Sequence, residues 1–112
     1  MFIYTTEVTM HRGDSLKLSF DVFLGDSLTK SLYNISEEDN IYFAILEPNQ
    51  PWEAAIVKKK LSVAQDSKIN VTIEPKDTMC LLPGLYYFQL KLRNRAGEVY
   101  TLNPRERFYI FE

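Results

Sequence analysis

The chain has 112 residues, a length suited to one domain. Apolar residues make up 46% of it and charged residues 25%, enough to bury a core and too apolar for a disordered tail. Thirteen Lys and Arg stand against fifteen Asp and Glu, a net charge of −2, so no overall field draws nucleic acid or an anionic membrane.

The opening MFIYTTEVTM has no basic region and no long apolar core, so it reads as a weak strand over 2–10 and not as a signal peptide. Arg12-Gly13-Asp14-Ser15 contains a tripeptide known from integrin ligands. Set directly before an alternating segment, it reads as a turn: glycine supplies the geometry and aspartate bonds nearby backbone N–H groups. From Leu16 to Leu24, Leu16, Leu18, Phe20, Val22 and Leu24 share one face, and Lys17, Ser19, Asp21 and Phe23 the other. That period of two predicts a half-buried strand. Gly25-Asp26-Ser27 is a turn, and Glu37-Glu38-Asp39 reads as a solvated acidic turn, since a metal site would need oxygen ligands from other loops.

Ile41 to Leu46 is apolar on both faces, as in a central strand covered on both sides. Pro48 and Pro51 exclude a central strand and make a loop, followed by Trp52 as an anchor over the core. A weak strand over 54–61 carries Lys58-Lys59-Lys60, which reads as a charged edge that resists edge-to-edge pairing. Ile69, Val71 and Ile73 alternate with Asn70, Thr72 and Glu74 and form another strand. Asn34-Ile35-Ser36 and Asn70-Val71-Thr72 match the glycosylation sequon; without a secretion signal they read as chance matches.

Pro75 fits a first helical position, so Lys76 to Leu81 is predicted to make one helical turn, which Pro83 and Gly84 stop. Tyr86, Phe88, Leu90 and Leu92 then alternate with Tyr87, Gln89, Lys91 and Arg93 in a long strand. Asn94 to Gly97 is a hairpin loop with Gly97 free to take positive φ, before a weak strand over 99–102. Phe108 to Phe111 is apolar on both faces, and two readings stay open: packing on both sides, or contact with a partner chain through Tyr109 and Phe111. About seven short strands punctuated by turns predict an all-β, antiparallel, immunoglobulin-like sandwich over 1–112. Tyr86, just after Pro83-Gly84, is placed for a tyrosine corner, its hydroxyl bonding backbone near Asp77.

Little here suggests chemistry. Cys80 is the single cysteine, so no internal disulfide is possible, and it reads as a small buried hydrophobe. His11, the only histidine, has no second histidine with which to share a metal. There is no nucleophile beside a base and no Gly-rich phosphate loop, so neither an enzyme nor a cofactor is expected. No apolar run approaches the roughly 20 residues of a membrane span.

Two segments together carry a family resemblance. One is Val8-Thr9-Met10-His11-Arg12-Gly13-Asp14-Ser15 leading into Leu16-Lys17-Leu18-Ser19-Phe20. The other is Glu74-Pro75-Lys76-Asp77-Thr78, then Leu81-Leu82-Pro83-Gly84-Leu85-Tyr86-Tyr87-Phe88, with the hairpin at 94–97. In order and spacing these resemble the N-terminal domain of phage baseplate upper proteins, an immunoglobulin-like domain of tail fibres and baseplates. The resemblance implies a non-enzymatic assembly role, in the virion or in the host cytoplasm during assembly. It implies other tail or baseplate proteins, or further copies of the chain, as partners, and neither nucleic acid nor membrane. The rival expectation is a free-standing binding module, for example for surface carbohydrate, with Trp52 and an exposed Tyr87 stacking on sugar rings.

Overall fold

The computed structural model describes residues 1–61 and 68–112. Ten strands lie among them: β1 (Val8–His11), β2 (Leu16–Phe20), β3 (Phe23–Leu24), β4 (Ser31–Leu32), β5 (Asn40–Leu46), β6 (Val57–Leu61), β7 (Ile69–Ile73), β8 (Gly84–Arg93), β9 (Val99–Thr101) and β10 (Glu106–Phe111). The one α-helix among the described residues is the turn α1 (Pro75–Met79), and a 3-10 turn covers Trp52–Ala54. A large sheet runs β1-β10-β8-β5-β6, with β9 also paired to β8; opposite it β2 pairs with β7, and β3 with β4. The result is an all-β sandwich, with β5, β8 and β10 in one layer and β2 and β7 in the other.

The alternation seen in the sequence is what joins the layers. β8 buries Tyr86, Phe88, Leu90 and Leu92, β10 buries Phe108 and Ile110, and β7 buries Ile69, Val71 and Ile73. Phe88 is the hub: its ring centroid lies 6.4 Å from Phe20, 6.0 Å from Phe43 and 6.2 Å from Phe108. Rings at such offsets contribute packing beyond the area they bury.

Several expectations change. The sheet is not wholly antiparallel: β1 runs parallel to β10, Val8 opposite Phe108 and His11 opposite Phe111. The chain can do this because β1 and β10 are far apart in sequence and need no tight hairpin. The strand expected over 16–24 breaks after Phe20; Val22 is fully buried, but Leu24 lies exposed and Phe23 turns to meet Phe2 in an isolated bridge. Phe23 thereby joins a ring cluster with Phe2 and Tyr4, and the Lys30 ammonium lies 4.7 Å above the Tyr4 ring. Cys80 is exposed and not core: Thr78 and Leu81 take the inward positions on this single turn, which leaves Cys80 on the outer side. Asp39 is buried and not solvated; it accepts hydrogen bonds from the Tyr33 hydroxyl (2.9 Å) and the Ser36 amide (3.0 Å) and so closes its own turn.

Candidate functional site

The corner between β7 and β8 is built from side-chain-to-backbone bonds. Pro75 opens α1, and Asp77 caps it by accepting the Glu74 amide at 2.7 Å. The same carboxylate meets the Lys59 ammonium at 2.6 Å, and Lys59 also donates to the Thr72 carbonyl. Lys59 therefore points inward from the edge strand β6, while Lys58 and Lys60 point outward. An inward charge on an edge strand is one way to block pairing with another sheet. The Tyr86 hydroxyl donates to the Leu82 carbonyl at 2.6 Å, four residues upstream, and not to backbone near Asp77. Pro83 and Gly84 make the bend that brings Leu82 within reach, so this is a tyrosine corner with its anchor inside the turn. Burial raises the Tyr86 pKa, and the nearby Glu47 charge acts in the same direction.

The turn over residues 12–14 docks on this corner. Gly13 has φ +86 and donates its amide to Thr78 Oγ1 at 2.8 Å, and a Cβ there would come within 2.7 Å of Met79 Sδ. Arg12 pairs with Glu112 at 3.1 Å. The tripeptide is thus a structural clasp between β1 and α1.

The outward face of the large sheet is the other candidate surface. On β10, Tyr109 is half-buried and Phe111 is 49% exposed, while Phe108 and Ile110 enter the core. β10 lies between β1 and β8, so this strand presents a face and no free edge. Tyr109 stands beside Leu85 of β8 and Thr9 of β1, and the His11 ring lies 6.0 Å from Phe111. Further across, Tyr87 is half-buried, not fully exposed, in register between Leu46 and Arg107. Trp52 comes down from its 3-10 turn onto this face and not onto the core. The Lys91 and Lys58 ammonium groups lie 4.9 and 5.3 Å from its ring centre. A hollow of about 250 Å³ is lined there by Tyr42, Trp52, Lys91, Leu92, Arg93 and Val99.

Sequence reasoning missed Asn103, which is 2% exposed. Its Oδ1 accepts the Leu90 amide at 2.8 Å and its Nδ2 donates to the Pro104 carbonyl, so the side chain takes the place of a strand where β9 stops before β10. An Asn beside a Pro in a strand gap was the available signal, and it is a weak one.

The fold defines the class of protein: an all-β sandwich domain. No protein-family model matches the chain, and no curated protein matches it. Among the described residues no three His, Cys, Asp or Glu side chains group to hold a metal ion, and no helix is long and apolar enough to cross a membrane.

Proposed function

We propose that the chain is a non-enzymatic assembly domain of a phage or prophage tail or baseplate, acting through protein contacts on the outward face of β10. The observation that carries this reading is the split of β10. Phe108 and Ile110 fill the core, while Tyr109 and Phe111 continue an apolar strip with Leu85 on the outside. Solvent-facing aromatics in a contiguous strip are typical of contact surfaces between proteins. The family resemblance of the 8–20 and 74–97 segments supplies the tail and baseplate setting by analogy.

The test is to replace Tyr109 and Phe111 with glutamate. Self-association, measured by light scattering, or co-purification with a co-expressed tail protein is expected to fall, with the far-UV circular dichroism of the monomer unchanged. A wild type that stays monomeric and binds no tail protein defeats the reading. A double variant that unfolds shows instead that the outer side of β10 is core.

A further inference from the structure

We infer that the outward face of the large sheet, from β6 to β10, recognises an acidic protein surface carrying apolar side chains. This inference rests on the assembly reading and names the chemistry of the partner.

Strand register places the cations. Tyr42 of β5 stands between Lys60 of β6 and Lys91 of β8, and Ala44 stands between Lys58 and Gln89. Arg93 lies opposite Asn40, and Arg107 of β10 stands opposite Tyr87. By alternation all five cations project from the same side of the sheet, away from the buried Ile41, Phe43, Phe88 and Leu90. The outward positions of β5, β6, β8, β9 and β10 include no Asp or Glu. Among the described residues none of the five cations meets a carboxylate within ion-pair distance; the ion pairs form elsewhere, at Arg12, Lys59, Lys68, Lys76 and Arg95. A chain of net charge −2 has therefore gathered five unneutralised cations on one face.

Two features favour protein over nucleic acid. Tyr42, Tyr87 and Tyr109 stand among the cations, and Phe111 extends the strip, which gives the apolar centre and charged margin of a protein interface. The overall negative charge repels a long polyanion at a distance, whereas a compact acidic patch meets only the local cations. Neighbouring strands lie about 4.8 Å apart, so Lys60 and Lys91, two strands apart, straddle Tyr42 at backbone positions about 10 Å apart. An acidic strand or loop with an aromatic residue between two carboxylates fits that spacing, with the hollow beside Trp52 as the seat for the ring.

Trp52 is the chain's single tryptophan and already lies beside Lys58 and Lys91, so its emission reports occupancy of this face. The probes are a soluble synthetic peptide of interspersed Glu and Phe, and an oligothymidylate of matched charge, each titrated into the whole chain. The peptide is expected to shift Trp52 emission saturably, and its affinity to drop at least about tenfold as salt rises through the range where the Debye length falls from about 10 Å to about 3 Å. The triple variant Lys60→Glu, Lys91→Glu, Arg93→Glu is expected to lose binding. The neutral set Lys60→Gln, Lys91→Gln, Arg93→Gln, checked for fold by circular dichroism, is expected to weaken it to an intermediate level. Peptide binding that ignores salt and both variants overturns the inference, as does saturable binding of the oligothymidylate at equal or higher affinity. The two proposals fail separately. A chain that assembles with a tail protein through Tyr109 and Phe111, unaffected by the charge variants, overturns this inference alone. A chain that binds the acidic peptide but never assembles overturns the assembly reading alone.

Discussion

The inner and outer faces of β8 and β10 use the same backbone for opposite purposes. Inside, Phe88, Leu90, Leu92 and Phe108 are fully buried, with the Phe88 and Phe108 rings packed edge to face. Outside, one residue along in each case, Tyr87, Lys91 and Tyr109 are half-covered and Phe111 is open. A strand alternates every residue, so stability and recognition can sit side by side on it without sharing side chains. Mutational effects should therefore separate by parity along these two strands.

Phe88→Ala is the strongest attempt to break that comparison. Removing a ring that touches three others should cost about 3–5 kcal/mol, while Gln89→Ala, its outward neighbour, loses only the bond that Nε2 donates to the Asn103 carbonyl and should cost about 0.5–1.5 kcal/mol. Urea denaturation of both variants checks this; equal losses would mean that both faces are structural.

Tyr86→Phe sharpens the comparison at the corner, where an inward residue carries a polar tip. Losing the hydroxyl bond to Leu82 should lower stability by about 0.5–1.5 kcal/mol, read as a lower denaturation midpoint. An unchanged midpoint would show that the corner stands on Pro83 and Gly84 alone.

The smallest expected effect is a pH dependence. Tyr33 packs against the core and donates to the buried Asp39; burial, then the Asp39 bond, pushes its pKa up to about 12 from 10.0. Its folded pKa lies above its unfolded one, so its contribution to stability is complete below pH 10 and is lost as pH rises from about 10 to about 12. Spectrophotometric titration of tyrosinate should show a late step near pH 12 that Tyr33→Phe removes. If that variant keeps the late step, the hydroxyl is not held by Asp39.

The comparison also shows how far local pattern reaches. The strands at 41–46, 69–73 and 86–93 and the helical turn after Pro75 follow from period-two alternation and from proline and glycine chemistry, which act over a few residues. The sandwich class follows from them, because strands with one apolar face must pair layers. The break after Phe20 was not legible, since Val22 and Leu24 continue the apolar alternation; Phe23 leaves it only because Phe2, 21 residues away, offers a partner. Cys80 and Asp39 were misplaced for a similar reason. The direction of a side chain on a single turn, and the burial of Asp39 beneath the half-buried Tyr33, are fixed by what packs around them.

The surface divides in the same way. That Phe108 to Phe111 is apolar on both sides of its strand was readable from the sequence, but packing on both sides and contact with a partner through Tyr109 and Phe111 gave the same pattern. Placing β10 between β1 and β8 decided that Phe108 and Ile110 face the core and Phe111 faces solvent. The cations were each visible, yet Lys58, Lys60, Lys91, Arg93 and Arg107 come from three strands up to 49 positions apart, in a chain whose summed charge is negative. By itself the sequence determined which residues alternate, where the chain turns and that the layers must pack, because these are short-range consequences of side-chain size, polarity and backbone freedom. Only the tertiary structure decided the parallel β1–β10 pairing, the anchor of Tyr86 on Leu82 and the gathering of like charge on one face, because strand register between distant segments is a global solution to burying one shared core.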